Sequence, residues 1–159
     1  MIKAGDRIPS LKLMSAGPDG PREVSTEEVF AGKRVVLFGV PGAFTPTCSA
    51  KHLPGFVQNA AALQAKGVDL IACMAVNDAF VMGAWAREQG AGEEILMLAD
   101  GSGALTRALG LELDLSARGM GVRCQRFALV ARDGLVERVD VESPGGFEAS
   151  RAENVLTHL

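Results

Sequence analysis

The chain contains few cysteines, no block of basic residues and no long apolar run. Its three cysteines, Cys48, Cys73 and Cys124, are odd in number, widely spaced and form no C-x-x-C pair. Free thiols are therefore expected rather than a disulfide framework. Metal-ligand spacing is also poor. Cys48 and His52 stand four apart, but no close second pair completes a tetrahedral set, so no metal ion is expected. The net charge of −3, with scattered Lys and Arg, offers no basic face to nucleic acid or an anionic membrane. Apolar runs such as Val68 to Val76, interrupted by Asp69, are far too short to span a bilayer. The start, Met1-Ile2-Lys3-Ala4-Gly5-Asp6, lacks the apolar core of a signal peptide, and the expected compartment is the cytoplasm. Repeats, low-complexity segments and linker-like stretches are absent. With 159 residues, 48% hydrophobic and 22% charged, residues 1–159 read as one globular domain.

What is present centres on Val40-Pro41-Gly42-Ala43-Phe44-Thr45-Pro46-Thr47-Cys48-Ser49. A strand-like run, Arg34 to Phe38, precedes it, and a helical pattern through Phe56, Val57 and Leu63 follows. Pro41-Gly42 signals a turn. Thr45-Pro46 reads as an N-cap followed by proline at the first helical position, where a missing N–H costs nothing. Cys48 then falls in the first turn. A thiol there meets the positive end of the helix dipole and unpaired backbone N–H groups, both of which favour the thiolate. Strand, tight turn and cysteine at a helix start form the layout of a reactive thiol.

Along the rest of the chain, Ser15 to Pro21 separates short extended segments around Leu11–Leu13 and Arg22–Val24. Ser25 with Glu28 forms a capping box for a short helix that Gly32 ends. Buried strands are expected over 33–40, 68–76 and 95–99. The active helix stops at Gly67, and Asn77-Asp78 caps a helix from Ala79 to Gln89 with Phe80, Val81, Ala84 and Trp85 as its apolar stripe. Asp100 to Gly103 turns into a short helix around 104–109. A strand is expected over 122–130, and Asp133-Gly134 turns it into a hairpin with 135–141. Ser150 with Glu153 suggests a second capping box, opening a C-terminal helix to His158. This order implies a central mixed β-sheet flanked by helices, an α/β, thioredoxin-like architecture with an N-terminal extension and a C-terminal β-hairpin plus helix.

Pro41-Gly42-Ala43-Phe44-Thr45-Pro46-Thr47-Cys48 resembles the peroxiredoxin active-site motif P-x-x-x-T-x-x-C, in the form used by the type-5 subfamily. Gly39-Val40, Lys51 to Phe56, Val76-Asn77-Asp78, Leu98 to Gly101, Leu109-Gly110-Leu111 and Arg126 to Leu129 extend the resemblance over nearly the whole chain. It implies a thiol-dependent peroxidase of hydrogen peroxide and alkyl hydroperoxides, with no cofactor, acting in cell redox homeostasis as a homodimer. By the same resemblance, Cys48 is the peroxidatic nucleophile and passes through a sulfenic acid. Thr45 hydrogen-bonds the thiolate and the peroxide. Arg126 stabilises thiolate and oxyanion, and Pro41 shields the sulfur and fixes the loop. Some type-5 relatives carry a resolving cysteine in the loop before the C-terminal helix. Here that loop, Glu142 to Ala149, has none. The expectation is a one-Cys enzyme reduced by an external thiol, glutathione with glutaredoxin first and thioredoxin second.

Other readings compete for the same residues. Thr45 also suits a helix cap alone, Arg126 a strand-surface charge, and Arg123 a supporting partner. His52 is either a structural hydrogen-bonder, the preferred reading, or the base of a Cys48–His52 hydrolase or acyltransferase. Cys73 reads as packing. If 122–130 is one strand, Cys124 and Arg126 face the same side, which would bring Cys124 toward the site as an unusual resolving thiol; packing is preferred there too. A redox sensor passing oxidation to a partner would use the same Cys48. Phe44 and Phe80 suit either a dimer contact or the core.

Overall fold

The computed structural model describes residues 1–159, and its frame is a seven-stranded mixed sheet. The chain enters as a hairpin of β1 (Lys12–Gly17) and β2 (Gly20–Ser25), antiparallel from Lys12↔Ser25 to Gly17↔Gly20. Ser15 and Ala16, expected in a turn, are paired strand residues; the reversal is tighter because Gly20 supplies a φ of 98°. Helix α1 (Thr26–Phe30) starts on the expected capping box. The Glu28 N–H donates to Ser25 Oγ and the Ser25 N–H to the Glu28 carboxylate.

The middle of the chain alternates: β3 (Arg34–Gly39), α2 (Leu53–Ala65), β4 (Leu70–Ala75), α3 (Ala79–Gln89), β5 (Ile95–Ala99) and α4 (Ala104–Leu109). β3 pairs parallel with β4, and β4 with β5, as helical crossovers require. A two-stranded ribbon of β6 (Glu112–Asp114) and β7 (Val122–Cys124) stands outside the main sheet. β8 (Phe127–Arg132) and β9 (Leu135–Val141) then add an antiparallel hairpin beside β3. Its turn places Asp133 and Gly134 at φ 49° and 77°, the paired positive values that a two-residue hairpin loop demands. The sheet order is β2-β1-β5-β4-β3-β8-β9, and α5 (Ala152–Thr157) closes the chain.

Strand alternation divides the core between the two sheet faces. Val36, Phe38, Cys73, Ala75 and Met97 pack against α2, α3 and α5. Val35, Leu37, Ala72, Met74 and Leu98 pack against α1 and α4. With both faces covered, β3 and β4 read as continuous apolar runs rather than alternating ones.

Three further expectations need correction. The 122–130 strand is broken at Gln125–Arg126, because β7 follows β6 while β8 inserts between β3 and β9. The inward stripe of α3 is Ala79, Met82, Gly83 and Trp85, and Phe80 points outward at 76% exposure. On this inward face a Cβ at Gly83 would stand 3.6 Å from the Ala16 Cβ, an ordinary contact, so the helix lies close against β1. Finally, Ser150 does not cap α5. Arg151 holds that position without a side-chain cap, and the Ser150 hydroxyl donates to Glu142 instead.

Candidate active site

β3 ends at Gly39, where a Cβ would stand 2.1 Å from the Phe127 ring, so only glycine fits. The chain then turns away from the sheet through a loop held from several sides. The Ala43 N–H donates to Asn77 Oδ1 at 2.9 Å. Arg123 donates from Nε to the Met120 carbonyl and from Nη1 to the Pro41 carbonyl, at 2.8 and 3.3 Å. Gly42 is tucked against this arginine, 2.8 Å from its Nη1 to a hypothetical Cβ. Phe44 sits at φ 65°, uncommon for an aromatic residue, with half its surface exposed. Such strain is typical of loops with a functional geometry to keep.

Helical structure begins at Pro46, so Thr45 does occupy the cap position. Its hydroxyl, however, does not accept from a first-turn N–H. It donates backward to the Gly42 carbonyl at 2.6 Å, while the Thr45 carbonyl accepts from the Ser49 N–H at 2.9 Å. The hydroxyl proton is thereby committed to the loop, and what Thr45 offers the site is an oxygen lone pair.

Cys48–His52 forms a π-helical turn in which the Leu53 N–H donates to the Cys48 carbonyl, a local widening that occurs often at functional sites. Cys48 and His52 are both fully buried, with Phe38 and Phe56 stacked at 4.0 Å beside them. Arg126 lies in the break between β7 and β8. That break, which sequence periodicity had filled with strand, frees the arginine to turn inward. Its Nη2 donates to Cys48 Sγ at 3.1 Å and its Nη1 to His52 Nδ1 at 2.9 Å.

His52 Nε2 lies 3.0 Å from the Ser150 carbonyl, which only accepts. Nε2 therefore carries the hydrogen and Nδ1 the lone pair. Burial, and then the Arg126 charge, push the imidazole down to about 3, so it stays neutral. With one nitrogen donating to a carbonyl and the other accepting from a guanidinium, neither is free to take a proton from Cys48. The Cys48–His52 hydrolase pairing therefore fails on hydrogen-bond grounds.

The segment before α5 supports this cluster. Glu142 accepts from the N–H groups of Glu148 and Ser150, each at 2.8 Å, and from the Ser150 hydroxyl at 2.7 Å. Burial alone would raise its carboxyl, but these hydrogen bonds outweigh it and hold Glu142 below its ordinary value. The Phe147 ring stands edge-on to His52 at 5.1 Å, with the guanidinium carbons of Arg126 and Arg151 at 5.9 and 5.5 Å from its centroid. Sequence reasoning noted this loop only for its missing cysteine. The available signal was a glutamate opening a Ser-Pro-Gly-Gly turn, after which the reversing chain brings the N–H groups of Glu148 and Ser150 to its carboxylate.

The remaining thiols make no hydrogen bond to this arrangement. Cys124 belongs to the core on the opposite sheet face and donates to the Val40 carbonyl at 3.2 Å. The strand break removes the parity that aligned it with Arg126. Burial pushes its thiol far up, the nearby Asp100 carboxylate adding to the effect, and burial does the same to Cys73 in β4. No group of three or more His, Cys, Asp or Glu side chains is placed to hold a metal ion, and no helix is long and apolar enough to cross a membrane.

Residues 3–156 match the Redoxin family. Peroxiredoxin-2E-2, chloroplastic, of Oryza sativa subsp. japonica is 52% identical over 99% of this chain and 72% of its own length. Peroxiredoxin-2B of Arabidopsis thaliana is 51% identical, covering 99% of this chain and 98% of its own. Reduced Prx3 from Vibrio vulnificus, solved in complex with H2O2, superposes with a TM-score of 0.94 at 52% identity, covering 99% of each chain. These relatives carry type-2 and Prx3 names, so they do not support the type-5 placement read from the motif. The family match over residues 3–156 and relatives of this similarity are sufficient: the chain belongs to the redoxin family as a peroxiredoxin, a thiol-dependent peroxidase with an antioxidant role.

Proposed function

We propose that this peroxiredoxin reduces hydrogen peroxide and alkyl hydroperoxides with Cys48 as the nucleophile and an external thiol as reductant. The observation that carries this reading is the Arg126 Nη2 donor 3.1 Å from the Cys48 sulfur. A guanidinium only donates and is permanently charged, so the contact strengthens as the sulfur becomes anionic.

In the first half-reaction the Cys48 thiolate attacks one peroxide oxygen in line with the O–O bond. An S–O bond forms, the O–O bond breaks, and the departing oxygen leaves as hydroxide or alkoxide and is protonated to water or alcohol. Arg126 stabilises the charge on both sulfur and oxygen. The Thr45 oxygen, its own proton held by Gly42, accepts a hydrogen bond from the peroxide O–H and orients it. Pro41, half-buried with its carbonyl held by Arg123, narrows the approach to the sulfur. Cys48 is left as sulfenic acid.

In the second half-reaction a thiol attacks the sulfenic sulfur, water leaves and a mixed disulfide forms. A second thiol then releases Cys48 and the oxidised reductant. The Glu142–Ala149 loop contains no cysteine, and Cys73 and Cys124 are fully buried, which supports an external donor. Glutathione with glutaredoxin is the first choice and thioredoxin the second. The motif favours type-5 placement, and the exposed rings of Phe44 and Phe80 suit a homodimer. A cytoplasmic site of action completes the reading.

The test follows consumption of hydrogen peroxide and tert-butyl hydroperoxide by wild type and Cys48→Ser, with either donor system. Turnover lost in Cys48→Ser is the expected result, and the donor that sustains wild type identifies the reductant. Undiminished turnover in Cys48→Ser would sink the assignment. A single stoichiometric oxidation without turnover on any donor would identify a redox sensor instead.

A further inference from the structure

Arg126 is gripped from the side facing away from the sulfur, and that grip has its own requirements. While Nη2 reaches Cys48, Nη1 donates to His52 Nδ1, which must offer a lone pair. The tautomer that provides it is selected by Ser150, 98 residues away in sequence, through its carbonyl. Ser150 is held in turn, since its N–H and hydroxyl both donate to the Glu142 carboxylate. The Phe147 ring closes the other side of the imidazole. His52 is thus fully buried, yet both its nitrogens are engaged in a directed chain from Glu142 to the sulfur.

We propose that His52 is a positioning residue for peroxide reduction: the Ser150 carbonyl and the Glu142-held loop keep it in the Nε2–H tautomer, so that Nδ1 aims Arg126 at Cys48. The inference rests on Cys48 as nucleophile and Arg126 as its donor. The physical need is plain. An arginine on an irregular segment has many rotamers, and a displacement of about 1 Å in a catalytic donor can lower a rate about a hundredfold. Because burial and the Arg126 charge keep the imidazole neutral, the acceptor persists throughout the working pH range. The competing role is space-filling among Phe38, Phe56 and Phe147.

Two polar substitutions separate these roles. In His52→Asn the amide oxygen can stand where Nδ1 stands and accept from Arg126, with no donor reaching Ser150. In His52→Gln the amide nitrogen can donate to Ser150, with nothing left at the Nδ1 position. The rate of Cys48 oxidation by hydrogen peroxide is compared with its alkylation by iodoacetamide, which needs a thiolate but no donor for a leaving oxygen. Relative to alkylation, His52→Gln is expected to slow oxidation about 10- to 100-fold, while His52→Asn stays within about fivefold of wild type. In an Arg126→Ala background the two variants should become indistinguishable, since no guanidinium remains to be aimed.

Equal losses in both variants, or a His52→Gln deficit that survives Arg126→Ala, would assign His52 to packing and overturn the inference. Should either buried variant fail to fold, Glu142→Ala in the supporting loop gives the same decision. It is expected to slow oxidation severalfold only when Arg126 is present, and an unchanged rate overturns the inference. Full peroxide turnover in Cys48→Ser would instead remove the reading on which it rests, so the two failures are distinguishable.

Discussion

Arg126 concentrates the chemistry of the site, because one planar fork touches both the sulfur and the imidazole. Lysine keeps the charge but not the rigid fork that directs one N–H at each partner: its ammonium is a point charge on a flexible stem. Arg126→Lys is therefore expected to lower the rate of Cys48 oxidation about a hundredfold, read by stopped-flow fluorescence of Trp85, the only tryptophan. That indole donates to Ser49 Oγ at 2.9 Å, one residue from the reacting sulfur. Thr45→Ser should keep most of the rate and Thr45→Val should lose about 10- to 100-fold, because only serine preserves both the bond to Gly42 and the free lone pair. The buried thiols make the opposite prediction. Cys124→Ser and Cys73→Ser should turn over peroxide like wild type. Cys73→Ser should unfold more easily by about 1–3 kcal/mol, since its new hydroxyl lies in an apolar core, and a urea melt would show it. Cys48 and Thr45 were legible in the sequence because their spacing is local to one helix start. Arg126 was legible only through family resemblance, since its partner is 78 residues away.

Helices and strands follow local signals wherever those signals are complete within a few residues. The Ser25–Glu28 box, the Asp78 cap, the Gly90 stop and the Asp133-Gly134 turn all form as read. Asp78 accepts from the Val81 N–H at 2.9 Å, so Asp78→Ala should destabilise the protein by about 1 kcal/mol in a thermal or urea melt. Gly39→Ala should do more damage, at or above about 2 kcal/mol, because its Cβ meets the Phe127 ring and β3 cannot withdraw from β8. Local signals misled where two elements compete for one residue. Ser150 has the spacing of a cap, yet a half-buried carboxylate with unfilled acceptor capacity claims its hydroxyl. The apolar content of 122–130 suggests one strand, but strands with different partners must part, and they part at Gln125–Arg126.

The folded chain as a unit carries a pH dependence that originates at the active-site support. His52 binds a proton near its ordinary value of 6.5 when unfolded but only at about 3 when folded. Its contribution to stability is complete above about pH 6.5 and declines as pH falls toward 3, at up to about 1.4 kcal/mol per unit. Glu142, held below its ordinary carboxylate value, adds a loss of the same sign at the acid end. Urea unfolding free energies should therefore fall between pH 6.5 and 4, and the fall should be shallower in a folded His52→Asn or His52→Gln variant. An equally steep fall in those variants would place the acid sensitivity elsewhere.

From its sequence alone the chain could be read as an α/β protein with a reactive thiol at a helix start, no metal-ligand spacing and no resolving cysteine in its last loop. Those properties depend on residue identity and on separations of a few positions, where backbone geometry is nearly obligatory. Folding was needed to commit the Thr45 hydroxyl to Gly42, set Cys124 behind the sheet, and join Glu142, Ser150, His52 and Arg126 behind Cys48. Side chains with several possible partners take those that the packed sheet and its closing loop bring within about 3 Å, and that proximity is a property of long-range packing rather than of any local pattern.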